Sequence, residues 1–253
     1  AAWLAAGALA GAAPLVDYQA VFAALPIAIH VAIRLGDRRR CARALGLAAA
    51  GAAAPIAILL AYHAACFGSP WRTGYDASTT FAVYHQHGFL GITALRAEAL
   101  YGAFARPDNG LLVLSPWLAL AVPGTRTLWR RGERGVAAVG VAVAVIYVLF
   151  IASINFWRGG WEVGPRYLAA MLPFLLPAVA AQLDAWTTPA AAGRQALAAG
   201  AIGVGVAIYV LAAATFPYWP DSVRHPLYDV TLRLLADGLA APSVGSALGL
   251  PAA

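Results

Sequence analysis

The stretch GVAAVGVAVAVIYVLFIASINF, Gly135 to Phe156, runs for 22 residues without a charged side chain. A helix needs about 20 predominantly apolar residues to cross a bilayer, so this stretch is long enough to span one. Working outward, five more stretches qualify: Tyr18 to Leu35, Ala44 to Cys66, Gly110 to Leu128, Tyr167 to Trp186 and Ala196 to Phe216. An incomplete span, Ala1 to about Leu15, precedes them. Unpaired backbone cannot face lipid. The expected fold is therefore all-α: a polytopic transmembrane helical bundle of about six full spans plus one truncated N-terminal span, with short outer-face helices.

Composition agrees. Of the residues, 62% are hydrophobic and 11% charged, with a mean hydropathy of +0.72, whereas a soluble domain carries about 25% charged residues. A water-soluble globule of this length is excluded. All 17 basic residues are Arg, and the formal charge is +6. They cluster in short connections between apolar runs and form no continuous stripe, so membrane topology explains them better than nucleic acid does.

Those connections set the orientation, because cytoplasmic loops carry the basic excess. Arg34, Arg38, Arg39, Arg40 and Arg43 fall in the first, Arg126, Arg130, Arg131 and Arg134 in the second, and Arg194 in the third. All three land on one side of the bundle, which reads as the cytoplasm. The segments 67–109, 157–166 and 217–253 then lie outside, the C-terminus among them. Trp71, Tyr75, Trp117, Trp129, Trp157, Trp161, Trp186, Tyr218 and Trp219 fall where interfacial anchors belong. The chain divides into a transmembrane module (1–216), an outer loop with an interfacial helix over Ile92 to Phe104 (67–109, Arg96 and Glu98 on its polar side), and an outer-face tail (217–253) with an amphipathic stretch from Leu227 to Leu239. Cys41 and Cys66 sit at opposite ends of one span, roughly 37 Å apart at 1.5 Å per residue, too far to pair with each other. The chain opens inside an apolar run with neither Met nor a basic leader, and reads as part of a longer protein.

Chemistry concentrates in the outer loop WRGGWEVGPRY, Trp157 to Tyr167. Three Gly and one Pro allow tight turns, and Arg presents planar paired donors suited to phosphate oxygens. Arg158 and Arg166 can hold a phosphate or pyrophosphate headgroup; equally, either can pair with Glu162 between interfacial Trp anchors. Asp17 and Tyr18, flanked by apolar runs at the outer boundary, form a second point. Asp17 serves either as a base or orienting group for an acceptor hydroxyl, or as a polar turn between helices. His63 reads as a hydrogen-bonded packing residue. Tyr84-His85-Gln86-His87 offers two imidazoles without a fixed third ligand, weak grounds for a metal. There is no nucleotide-type Gly-rich loop, zinc-spaced Cys pair or nucleophile elbow.

The succession Tyr62-His63, Cys66-Phe67-Gly68-Ser69-Pro70, Arg72-Thr73-Gly74-Tyr75, Gly110-Leu111-Leu112-Val113-Leu114-Ser115-Pro116, Gly159-Gly160-Trp161, Gly164-Pro165-Arg166-Tyr167 and Leu172-Pro173-Phe174 resembles bacterial membrane glycosyltransferases of the GT-C superfamily, the protein-mannosyltransferase-like enzymes that use lipid carriers. The likeness runs along nearly the whole chain, to His225-Pro226-Leu227. It implies a polytopic enzyme of the bacterial cytoplasmic (inner) membrane. Such an enzyme takes a sugar from a polyprenyl-phosphate donor on the outer face and moves it, with inversion, to a lipid, glycan or protein acceptor. On that likeness Arg158, Trp161, Glu162, Arg166, Tyr167, Arg72 and Tyr75 contact substrate and Asp17 assists the acceptor. No cofactor is implied with certainty, a divalent metal being compatible. The family's principal carboxylate lies in the first outer loop, which here would precede Ala1, and Asn109 stands before Gly110 where the family more often has a basic residue. Two other classes stay open: a transporter or flippase for a lipid-linked intermediate, which calls for midplane charges and inverted repeats, and a non-catalytic assembly partner.

Overall fold

The computed structural model describes residues 1–79, 82–85, 87–88 and 91–241. Among these the chain is all-helical, with one isolated antiparallel bridge between Ile92 and Ile154 and no strand. In chain order the helices are α1 (Ala2–Val16), α2 (Ala24–Leu35, continuing a 3₁₀ turn from Tyr18), α3 (Arg38–Phe67), α4 (Ala82–His85), α5 (Ala97–Phe104), α6 (Leu111–Leu114), α7 (Ala121–Arg130), α8 (Arg134–Ser153), α9 (Leu172–Ala185, continuing a 3₁₀ turn from Arg166), α10 (Ala192–Ala214) and α11 (Arg233–Ala236). Five continuous helical segments are long and apolar enough to cross a membrane: Tyr18–Leu35, Arg38–Phe67, Arg134–Ser153, Arg166–Ala185 and Pro189–Ala214. The chain is a multi-pass helical membrane protein.

The sixth apolar stretch, Gly110 to Leu128, is not one helix. It breaks at Ser115, whose φ −138°, ψ 66° leave the helical region, into α6, a 3₁₀ turn (Pro116–Leu120) and α7. Pro116 is the cause, because its ring disfavours helical geometry in the residue before it. The first Arg cluster also differs from a loop. Gly36 at φ 63° ends α2, and the Asp37 carboxylate accepts the Arg40 backbone N–H at 2.7 Å, so α3 starts at once and carries Arg38 to Arg43 on its first turns. The interfacial helix is shorter than its expected span, covering Ala97–Phe104. Arg96 is not on a polar face: its backbone N–H reaches Ala152 O at 2.8 Å and its guanidinium bonds Ile154 O, tying this segment to the end of α8.

α1 packs on α3 through small residues. A Cβ on Gly7 would stand 1.9 Å from the Ala48 carbonyl oxygen, and one on Gly51 would stand 2.1 Å from that of Leu4. Gly7 and Gly11 are four apart, the spacing that lets helix backbones approach in a bilayer. Around α8 the core gathers Val143, Tyr147, Ile151, Tyr167, Leu168 and Met171.

The helix ends sort into two layers. At one end Arg131 pairs with Asp184 at 2.6 Å, joining the α7–α8 turn to the end of α9, and Gly135 at the start of α8 abuts His30 of α2. The three Arg-bearing connections sit at this end. At the other, Tyr18 meets His63, the Tyr147 hydroxyl donates to Gln19 O at 2.6 Å, and the loops after α3, α8 and α10 come together. Cys41 and Cys66 are free, on α3.

Candidate functional site

At the end opposite the arginines, two connected lobes of about 490 and 600 Å³ open between the α1–α2 turn, the end of α3 and the 159–167 loop. Tyr18, Tyr62, Tyr75 and Arg166 line both lobes; Asp17 faces the one, and His85, Glu162 and Tyr167 the other. Each lobe falls in the size range of small-molecule sites, about 300–1,000 Å³.

Asp17 ends α1 in extended geometry (φ −152°, ψ 124°), and its carboxylate accepts the Gln19 backbone N–H at 3.2 Å, capping the following 3₁₀ turn. The turn and site readings thus coexist: one carboxylate oxygen serves the cap while the side chain borders the cleft. Next to it, Tyr18 Oη lies 2.9 Å from His63 Nε2, and His63 Nδ1 is 3.2 Å from Pro70 O. A carbonyl only accepts, so Nδ1 carries the proton and Nε2 accepts from Tyr18. His63 is a buried, doubly bonded packing residue, as its sequence context suggested, and it fixes the orientation of Tyr18 at the cleft wall.

The 159–167 loop supplies the cation. Gly159 (φ 79°), Gly160 (φ 122°) and Gly164 (φ 86°) hold left-handed conformations that L side chains rarely adopt, folding the loop back so that Glu162 and Arg166 face each other. Their contact is loose: 3.4 Å, with 44% of the Arg166 side chain exposed. The guanidinium stacks 5.1 Å from the Tyr167 ring centroid. Arg166 therefore keeps donors for an anion. The buried Tyr167 hydroxyl interacts with Tyr75 and Arg166, while His85 Nδ1 has no hydrogen-bond partner among the described residues; both residues line this lobe. Buried polar atoms are rarely left orphaned, and His85 Nδ1 is one such atom on this wall. Burial, reinforced by Tyr167, pushes the Tyr75 phenol well above its usual range, and burial pushes the His85 imidazole down. Both present neutral, hydrogen-bonding faces to the cleft at neutral pH.

Arg158 is elsewhere. Its Nη1 lies 2.7 Å from Asp108 Oδ2, and its Nη2 donates to Trp219 O at 3.3 Å. Asp108 also takes two bonds from Arg106, at 2.7 and 2.8 Å. Side-chain exposure is 8% for Arg158 and 3% for Asp108. This buried cluster joins the 106–109 segment, the 155–158 loop and the tail; it does not face the Arg166 cleft. Nor do Trp161, exposed at the rim, or Arg72, exposed beside Asp76. Asp76 is held below the usual carboxylate range by the Thr73 backbone N–H and hydroxyl, with help from Arg72. So of the expected residues, Asp17, Tyr75, Glu162, Arg166 and Tyr167 converge; Arg158, Arg72 and Trp161 do not. Tyr62 and His85 line the site without having been expected there.

Among the described residues no three His, Cys, Asp or Glu side chains cluster as metal ligands. His85 lies against Tyr75 at 4.5 Å, and Gln86 lies outside the described residues. A separate apolar groove of about 550 Å³ runs between α7, α8 and α9, lined by aliphatic side chains, Met171, Phe104 and Phe174, with Thr125 the one hydroxyl on its lining, and offers no reactive group. Comparison with protein-family models, with curated proteins and with solved structures finds no match.

Proposed function

We propose that the chain acts within a membrane glycosyltransferase that takes a sugar from a polyprenyl-phosphate donor on the outer face of a bacterial cytoplasmic membrane. The observation that carries this reading is a carboxylate, Asp17, and a loosely paired guanidinium, Arg166, facing one cleft at the bundle end opposite the Arg clusters. Basic clusters mark the cytoplasmic side, so the cleft opens outward, at the depth where a carrier lipid places its phosphate. Arg166 neutralises the donor phosphate, whose charge grows as the glycosidic bond breaks, and so stabilises the leaving group. Tyr75 adds a neutral donor, and the Tyr75 and Tyr167 rings an apolar wall for the sugar. Asp17 accepts a hydrogen bond from the incoming acceptor hydroxyl.

Arg158 takes no part in donor binding here, because its donors are committed to Asp108 and Trp219. The transporter reading has less support: α8, α9 and α10 carry no charged residue in their central turns, where such proteins place ion and substrate sites.

The test is binding of a tritiated polyprenyl-phosphate hexose to the detergent-purified chain. Losing a charged hydrogen-bond partner costs about 1.5–3 kcal/mol, so Arg166→Ala should weaken binding about ten- to a hundredfold. The polyprenyl hexoside without phosphate should bind both proteins alike. Equal affinity of the two proteins for the phosphorylated donor would sink the reading.

A further inference from the structure

A second cleft of about 350 Å³ lies beside the first, lined by Tyr84, Arg106, Asn155, Phe156, Trp157, Arg158, Asp221 and Ser222. The two clefts share Phe156, whose ring stacks on Tyr84 at 4.7 Å, and Tyr84 precedes His85 of the main cleft. One loop builds both: Asn155 to Arg158 line the side cleft, and Gly159, Gly160, Glu162, Arg166 and Tyr167 the main one.

Two arginines on one wall suggest an anion, but charge accounting argues otherwise. Asp108, behind the wall, is bonded to both guanidinia, and Asp221 on the tail contributes a second carboxylate. Two positive and two negative charges leave no surplus to draw an anion in. What remains is a wall of alternating hydrogen-bonding character. Arg106 only donates, through the Nη1 that Asp108 leaves free; Asp221 only accepts; Asn155 donates, and Ser222 does both. Asp221 is exposed and has no hydrogen bond or ion pair among the described residues, so its oxygens are available. The Asn155 Oδ1 is occupied by the Thr93 hydroxyl at 3.1 Å, which turns its amide nitrogen into the free group. Trp157 is locked in place, since a Cβ on Gly102 would stand 2.2 Å from its ring and Arg106 stacks on it at 5.7 Å. Arg158 is itself more than nine-tenths buried, with its terminal nitrogens bonded to Asp108 and Trp219, so it shapes the wall without offering the cleft a donor.

A ligand matching this wall carries several neutral hydroxyls, each able to donate and accept, on a ring with apolar C–H faces that settle against aromatic side chains. That is a saccharide, and the volume suits one ring. We infer that the side cleft binds a sugar unit of the acceptor, so that the acceptor is a glycan, presented to the main cleft across Phe156. This inference rests on the glycosyltransferase reading for its consequence, not for its chemistry.

The experiment is saturation-transfer NMR on the purified chain, without any donor, using methyl glycosides of mannose, glucose, galactose and arabinose, with inorganic phosphate as a competitor. At least one glycoside should bind saturably. Asp221→Ala should weaken it about ten- to a hundredfold while leaving the melting curve unchanged, because Asp221 is exposed and unpaired; Arg166→Ala should leave it unchanged. Loss in Arg166→Ala with retention in Asp221→Ala would put the sugar in the main cleft and overturn the inference. So would absence of saturable binding by every glycoside, or displacement of the glycoside by millimolar phosphate, which would make the wall an anion site. None of these results touches the polyprenyl-phosphate binding test, so the two readings fail separately.

Discussion

Two arginines eight residues apart should behave oppositely when truncated. Removing Arg158 breaks a buried ion pair, a change that costs about 3–5 kcal/mol when one partner is left behind. Asp108 keeps both bonds to Arg106, so the lower end applies, about 3 kcal/mol. At about 2–4 °C per kcal/mol for a chain of this size, Arg158→Ala should melt about 6–12 °C below the parent. Arg166 sits in an exposed pair at 3.4 Å, and such pairs are worth about 0–1 kcal/mol. Arg166→Ala should therefore melt within about 4 °C of the parent while losing phosphate affinity. Intrinsic fluorescence in detergent is a suitable readout: Trp219 is fully buried, its carbonyl accepts from Arg158 and its Nε1 donates to Thr231 at 3.0 Å. Arg158 truncation should expose it and shift its emission to the red. Equal melting of the two variants, or an Arg158→Ala protein as stable as the parent, would refute the division of labour drawn between them.

The same cluster gives a pH signature. Burial alone would raise the Asp108 carboxyl, but the hydrogen bonds and charges of Arg106 and Arg158 outweigh it and hold the group below its ordinary value. A depressed folded-state pKa contributes stability that is complete above the unfolded aspartate value of about 3.9 and is lost as pH falls through the folded value. The parent should therefore lose more melting temperature than Asp108→Asn between about pH 4 and pH 2, and parallel curves would contradict this. In the N-terminal pair, Gly7→Ala puts a Cβ into the Ala48 backbone and should destabilise by about 1–3 kcal/mol. Gly46→Ala on α3 meets nothing within 4 Å and gains helix propensity, so its melting temperature should hold or rise; the reverse order would disprove the close α1–α3 approach.

Span length and composition made most of the architecture legible, because a bilayer leaves few solutions for an uncharged 20-residue run. What they did not convey is local. Ser115-Pro116 carried the break in the stretch from Gly110 to Leu128, yet apolar content masked it. The Asp37 cap and the Gly36 turn shortened a loop that the Arg run made look longer. Gly7 and Gly11 showed the right spacing for a helix contact, but only the fold tells which helix they meet. Within the site, Asp17, Tyr75, Glu162, Arg166 and Tyr167 were readable as polar or aromatic residues at span ends. Arg158 was not separable from Arg166 on composition, since both sit in one glycine-rich loop; its distinction lies in Asp108, 50 residues earlier, and in a tail that returns to cover it. Tyr62 and His85 carry no local signal beyond being aromatic near an interface, and only the packing of α3 and the 67–109 segment brings them to the cleft.

The most direct measurement is a structure of the chain in lipid nanodiscs with a polyprenyl-phosphate hexose bound. The account predicts the phosphate within hydrogen-bonding distance of the Arg166 guanidinium, with the sugar between Tyr75 and Tyr167 and the prenyl chain running into the bilayer. A phosphate held instead at the end carrying Arg126 to Arg134, or a cleft left empty at saturating donor, would contradict it.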